Sequence, residues 1–366
     1  MITKLIPALA FSAPAVCALV CFAILLIDTY ITKKTKEERQ LRFLLLLTFV
    51  VAALCWMGLV LEIANHRAYV RYFSIFFLTL MLDQILIYRS VHIITVTGRG
   101  DRFNRFHYVV PTVLITISII ADLTVSLQQK EAVIYGNGES NHWFSMLYSL
   151  MGVVFVVYNI LYPILGLLRI YRYKHSIEDY SADAQRTSLN WLLIMQVLTL
   201  ITIPVPLTGL LFRIDVFSDF YFSMQGVLPT FFVYPILCYN LLSDNYVIIA
   251  PDDEILLNDN GTKIDPKRFI QYLNETKPYQ NPHLRITHVA ADLCTNRNYV
   301  SAFINHEYGM NFSRFINQYR LKEFDRLRLS TEHKDNTNME LVLMAGFSSY
   351  RSYLRVKNNE IKSEIF

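Results

Sequence analysis

The sequence predicts an all-α protein, a seven-transmembrane helical bundle followed by a tandem helix-turn-helix domain. Three observations carry this. Only 17% of the 366 residues are charged and 53% are apolar, where a soluble domain carries about 25% charged. The charges are unevenly placed: residues 265–366 hold 26 of them in 102 positions, 15 basic and 11 acidic. Seven apolar stretches reach the length of about 20 residues that crosses a bilayer.

Those stretches lie near Leu5–Ile31, Leu41–Ala64, Tyr72–Val96, Tyr108–Leu127, Trp143–Ile170, Leu189–Phe212 and Phe220–Leu242. The first reads as a retained helix, since its apolar run is too long for a signal peptide and only Lys4 precedes it. Lys and Arg in the segments after the first, third and fifth stretches number eleven, against five on the other side. That asymmetry predicts an outside N-terminus, a cytoplasmic C-terminal third and an external loop around Gly136–Asn141. The helical prolines, Pro163, Pro204, Pro206, Pro229 and Pro235, are tolerated inside membrane bundles. Cys17, Cys21, Cys55 and Cys238 sit in apolar runs and Cys294 in the tail; they read as packing residues with no structural disulfide.

Ionisable groups at membrane depth are costly and often functional. Asp83 falls mid-span in the third stretch, with Glu62 and Asp122 toward the external ends of the second and fourth. Arg89, His92, Asn159 and Gln196 are further polar candidates. These residues form either a polar pocket for an unknown signal ligand, ion or proton, or hydrogen bonds that fix the bundle.

The chain divides into a membrane domain at 1–242, an acidic connector at 243–264 and a helical domain at 265–366. Around Pro251-Asp-Asp253 the connector carries the signals of a short hairpin. In the tail, Ile286, Val289, Ala290 and Leu293 mark a short helix with Thr287 as a candidate cap. A second helix runs from about Arg297 to Glu307, with Tyr299, Val300, Phe303 and Ile304 apolar and Gly309 as its C-cap. Phe312 to about Leu329 is a longer helix. The pattern then repeats as Met339–Met344, a turn at Ala345-Gly346-Phe347, and Ser349 to about Glu360.

In such a unit the second helix enters the DNA major groove and needs polar side chains that reach base edges. The first unit offers Asn296, Arg297, Asn298, Ser301 and Asn305; the second offers Ser349, Tyr350, Arg351 and Arg355. Arg314 and Lys357, with Arg320, Lys322, Arg326 and Arg328, are candidate phosphate contacts.

The tail resembles the C-terminal domain of the AraC/XylS family of bacterial transcription regulators over about residues 280–358. The resemblance rests on Val289-Ala290, Tyr299-Val300-Ser301-Ala302, Gly309, Phe312-Ser-Arg-Phe315-Ile316-Asn317-Gln-Tyr-Arg320 and Ala345-Gly346-Phe347-Ser348-Ser349. Ala302 stands where the family pattern has Arg, and the family's closing Gly-x-Thr/Ser-Pro stretch is absent. The resemblance implies double-stranded DNA as partner and transcription regulation as function; with the seven apolar stretches it gives a regulator embedded in a bacterial inner membrane, and the sequence leaves open whether it acts as a monomer or a homodimer. A transporter or channel with a regulatory tail is the alternative. No metal-ligand set, Gly-rich phosphate loop or nucleophile motif is present, so neither enzyme activity nor a cofactor is expected.

Overall fold

The computed structural model describes residues 2–97, 101–136, 141–183, 186–202, 220–249 and 264–365. Among these the fold is helical, with one isolated antiparallel bridge between Ser181 and Arg285. There are two compact units. One comprises Met1–Thr95, Arg102–Ile170 and Asn190–Asp244; the other comprises Val96–Asp101, Tyr171–Leu189 and Asn245–Phe366. The second unit therefore draws in a segment from the middle of the chain as well as the C-terminal third.

The first unit contains α1 (Ile2–Ile31), α2 (Lys36–Ala64), α3 (His66–Ile94), α4 (Val109–Thr124), α5 (Leu127–Tyr135), most of α6 (His142–Ile177), α7 (Asn190–Ile201) and α8 (Phe220–Leu242). Five helices are long and apolar enough to cross a membrane: α1, α2, α3, α4 with its preceding 3-10 turn Arg105–Tyr108, and α6. Seven were expected. The sixth stretch is a described helix of 12 residues, and the rest of it, with Pro204 and Pro206, lies outside the described residues. In the seventh, Val227–Leu242 is a shorter apolar helix.

Local chemistry sets the helix ends. Thr35 and Glu38 form a reciprocal capping box, the Thr35 hydroxyl accepting from the Glu38 N–H at 3.3 Å. Asn65 closes α2 through its N–H to the Leu61 carbonyl and opens α3 by accepting from the Ala68 N–H at 3.1 Å. One residue thus turns the chain between two 29-residue helices. Gly58 lets them approach: a Cβ there would lie 2.2 Å from the Phe76 ring. Ser126 and Gln129 form the capping box of α5, a short helix between the fourth stretch and the loop around Gly136.

The packing of α1 is two-sided. Phe11, Ala15, Ala18, Cys21 and Leu25 are buried, while Val16, Val20, Ile24, Ile27 and Ile31 form an exposed stripe, 45–76% accessible. Small residues on the inner face allow close helix approach. An apolar stripe of this length suits lipid contact rather than water. On α8, Tyr234 accepts from Trp56 Nε1 at 3.0 Å, and the Cys238 thiol donates to the Cys21 carbonyl at 3.8 Å. Fully buried Arg42 pairs with Asp28, and Lys34 with Asp244 at 2.6 Å, joining the ends of α1, α2 and α8.

The second unit holds α9 (Pro266–Thr276), α10 (Ile286–Asp292), α11 (Arg297–Tyr308), α12 (Phe312–Leu329), α13 (Asn338–Met344) and α14 (Tyr350–Ile365). Asp265 caps α9 by accepting from the Lys267 N–H, and Pro266 fills the first turn, where a missing N–H costs nothing. Thr287, expected as a cap, lies inside α10; Arg285 occupies the cap position. Gly309 does close α11, at φ +66° with its N–H on the Asn305 carbonyl.

The long α12 belongs to two cores. Its N-terminal half buries Phe312, Phe315 and Ile316 in the part of the unit that also buries Phe269, Val289, Val300 and Ile304. Its C-terminal half packs Phe324 and Leu327 with Leu341, Val342, Ala345, Phe347, Tyr353 and Val356. The hairpin expected near residues 251–253 lies outside the described residues; 245–249 form no strand.

Candidate functional site

The second unit presents two pairs of the same form, a seven-residue helix, a tight turn and a longer helix: α10 with α11, and α13 with α14. In each pair apolar residues of the longer helix face inward and polar residues face outward. On α11, Val300 and Ile304 are buried while Asn298, Ala302 and Asn305 are exposed at helical spacing. Ser301 and Arg297 are half-buried, and Asn305 Nδ2 reaches Ser301 Oγ at 3.4 Å. Tyr299, expected among the packing residues, is 40% exposed on the same outer side.

Asn296 has a structural task. Its side chain accepts from the Tyr299 N–H at 3.0 Å as the N-cap of α11. Ser349 plays the same part for α14, accepting from the Ser352 N–H at 3.2 Å. Both side chains are spent on holding a helix start in place.

On α14, Ser352, Tyr353 and Val356 are buried, whereas Tyr350, Arg351, Leu354, Arg355 and Lys357 are exposed. The Tyr350 ring lies 5.7 Å from that of Tyr353. Lys357 Nζ sits 3.3 Å from the Tyr353 hydroxyl and 5.6 Å from the ring centre, so its ammonium is partly engaged. Arg314 is engaged more fully, donating through Nε and Nη2 to the Glu360 carboxylate at 3.0 and 3.3 Å. Lys322, Arg326 and Arg328 are exposed on α12.

Arg320 does not reach the surface. It is 1% exposed, donating Nε to the Tyr279 carbonyl at 2.8 Å, Nη1 to the Ala182 carbonyl at 2.8 Å and Nη2 to the Asn281 carbonyl at 2.7 Å. Burial lowers its pKa to about 10, so the guanidinium remains charged at neutral pH. Nearby Glu323 is 5% exposed and contacts Arg326, Lys277 and Gln280. The Arg326 guanidinium, with Lys277, pulls its carboxyl down to about 2. Sequence reasoning gave these residues no part in holding the unit together. The signal was the placement of Arg320 and Glu323 on the inner side of α12, three residues apart.

In the first unit the three acids expected at membrane depth have different surroundings. Asp122 accepts from Ser74 Oγ and from Lys130 Nζ, each at 2.6 Å, tying α3, α4 and α5 together. Glu62 lies within electrostatic reach of buried Tyr69. Asp83 Oδ1 is sealed from the surface and has no hydrogen-bond partner among the described residues. Cys55 of α2 and Tyr234 of α8 lie close enough to feel its charge. Gln84, its neighbour, donates to Asn159 Oδ1 at 3.1 Å, and Arg89 to the Tyr108 hydroxyl at 3.2 Å. His92 is buried with its ring 5.5 Å from Phe103, and buried Gln196 fills the space over Gly166.

Among the described residues no group of His, Cys, Asp and Glu is arranged to hold a metal ion. The chain matches no protein-family model, no curated protein and no solved structure.

Proposed function

We propose that this protein is a membrane-embedded transcription regulator whose C-terminal unit binds double-stranded DNA through two helix-turn-helix units. One observation carries the reading: two helix pairs of like form flank one long helix, each turning a polar face outward from its second helix. Tandem units of that form can address successive major-groove segments from one chain. Arg351 and Arg355 on α14, and Asn298, Ser301 and Asn305 on α11, are the side chains best placed to reach base edges. The proposed setting is a bacterial inner membrane with this unit in the cytoplasm. Genome-wide mapping of the sites occupied by the full-length protein tests the function; no enriched site under any growth condition would refute it.

The orientation is tested by labelling. A cysteine at Gly136, which has open space around it at the end of α5, should react with a membrane-impermeant maleimide from outside intact cells. A cysteine at exposed Lys322 should react only after permeabilisation. Outside labelling of both would place the C-terminal unit away from DNA.

Base readout has its own signature. Arg351→Ala should cost about 1–3 kcal/mol at the specific site and relax base preference at one position. Selection from a randomised duplex pool checks this, and recovery of the parental motif at parental affinity would remove Arg351 from the interface.

Sensing is assigned to Asp83. A carboxylate near mid-bilayer costs about 2.5–3.5 kcal/mol on an insertion scale, so a proton, a cation or a hydrogen-bonding ligand is its natural partner. Asp83→Asn keeps shape but removes the charge. Reporter output should become locked or shifted in dose while membrane insertion stays normal; output equal to the parent at every signal level would leave Asp83 a packing residue.

A further inference from the structure

The segment joining α6 to α7 is built into the C-terminal unit, and its acids lie against α12 and α14. Ala182 N–H donates to the Leu284 carbonyl at 3.3 Å and Ile286 N–H to the Tyr180 carbonyl at 2.9 Å, framing the Ser181–Arg285 bridge. Glu178 meets the start of α12: its carbonyl accepts from the Ser313 N–H at 2.9 Å and its carboxylate from Asn311 Nδ2 at 3.0 Å. Asp183 is 2% exposed. Its carboxylate accepts from Ser348 Oγ at 3.3 Å and contacts His283 Nδ1 at 3.0 Å. Both carboxylates also act on the Arg355 guanidinium.

These are groups that DNA phosphates would seek. A helix N-terminal N–H and a hydroxyl just before a helix are ordinary phosphate partners, and Arg355 on the exposed face of α14 is one of the proposed DNA contacts. Here, the Asp183 carboxylate and the Glu178 peptide carbonyl of the same chain hold the hydroxyl and the N–H, and the two acids set negative charge in the surroundings of Arg355. Ser348 immediately precedes the α14 cap, and Arg355 lies on the face with Arg351.

We infer that residues 178–183 form an autoinhibitory strap, an anionic segment that competes with the DNA backbone for the α14 end of the C-terminal unit. This rests on the DNA-binding reading above. The strap directly follows α6, so displacement of α6 along its axis would pull on it. DNA and strap then exclude one another, and a signal that loosens the strap raises DNA affinity.

The test uses the full chain in lipid nanodiscs and a fluorescein-labelled 40-base-pair duplex of mixed sequence, at fixed low salt. One arm releases the strap: Glu178→Gln with Asp183→Asn should tighten binding at least tenfold. The other arm locks it. Ser181 and Arg285 face each other at a non-hydrogen-bonded antiparallel pair, where Cα atoms are about 4.5 Å apart and a disulfide fits. Ser181→Cys with Arg285→Cys, in a Cys294→Ser background, should lose at least tenfold in affinity when oxidised and recover on reduction.

The locked pair keeps the strap in its native place, so it stays informative if the release variant misfolds. Equal binding by the oxidised and reduced locked protein overturns the strap. The full-length proteins also separate the two readings: if the parent, the release variant and the reduced locked protein all fail to bind the duplex, the DNA-binding reading itself falls.

Discussion

Arg320→Ala is expected to cost the C-terminal unit about 3–5 kcal/mol, the range for removing one member of a buried, hydrogen-bonded charged set. The side chain gathers the carbonyls of Tyr279, Asn281 and Ala182, which come from two separate segments, onto α12. Its guanidinium also lies 5.9 Å from the centre of the Phe347 ring, on the turn before α14. Alanine leaves the buried carbonyls of Tyr279 and Ala182 without this donor, and each such loss costs about 1–3 kcal/mol. Lysine keeps the charge but offers a point donor in place of the planar fork, so Arg320→Lys should recover only part of the loss. Hydrogen exchange on the full chain in detergent reads this directly. Protection over 279–286 should fall by at least a hundredfold in Arg320→Ala, and parental protection would show that the three carbonyls are held by other means.

Gly346→Ala should be nearly as damaging, for a steric reason. Gly346 adopts φ +96°, a region that L side chains rarely enter, and a Cβ would lie 2.2 Å from the Tyr279 carbonyl oxygen and 2.6 Å from Gln280 Cα. The obstacle is backbone, which cannot swing aside as a side chain does. Strain of about 1–3 kcal/mol for the conformation adds to the clash. Gly309 is the internal control: it also has positive φ, +66°, but nothing lies within 4 Å of a Cβ there. Gly309→Ala should therefore cost only about 1 kcal/mol, as at an ordinary helix C-cap. Thermal unfolding of the full-length variants, followed by proteolysis between α13 and α14, should rank Gly346→Ala far below Gly309→Ala. Equal midpoints would mean that the turn can move away from residues 279–280.

Arg320 and Gly346 act on the same joint. Arg320 fastens the segment at 279–282 to α12, and Gly346 lets the turn between α13 and α14 lie against it. Together they set the relation between the two helix pairs of the unit.

Much of this was decided by sequence alone. Apolar runs of bilayer length fix α1, α2, α3, α4 and α6 as candidate spans, because the length of a run and its lack of charge are local properties. The polar tail declares its helices through period and caps: Asn296 before α11, Gly309 after it, Asn311 before α12 and Thr337 before α13 each make the cap contact that their residue type favours. Asp265-Pro266 and Ser126 with Gln129 carried equally local signals for α9 and α5.

The tertiary structure decided what each charge does. Asp122 and Asp83 look alike in sequence, yet one meets Lys130 and Ser74 while the other keeps a sealed oxygen with no partner among the described residues. Arg314, Arg320 and Lys322 all read as cations on one helix; one pairs with Glu360, one is buried on carbonyls and one is exposed. The attachment of residues 178–183 to a domain that begins some 80 positions later in the chain was equally invisible. Caps and periods arise from neighbours within four residues, where sequence order is itself the geometry. Ion pairs and buried arginines arise between groups that only the folded chain brings within about 3 Å, and the energy of a charge depends on that distance and on its removal from water.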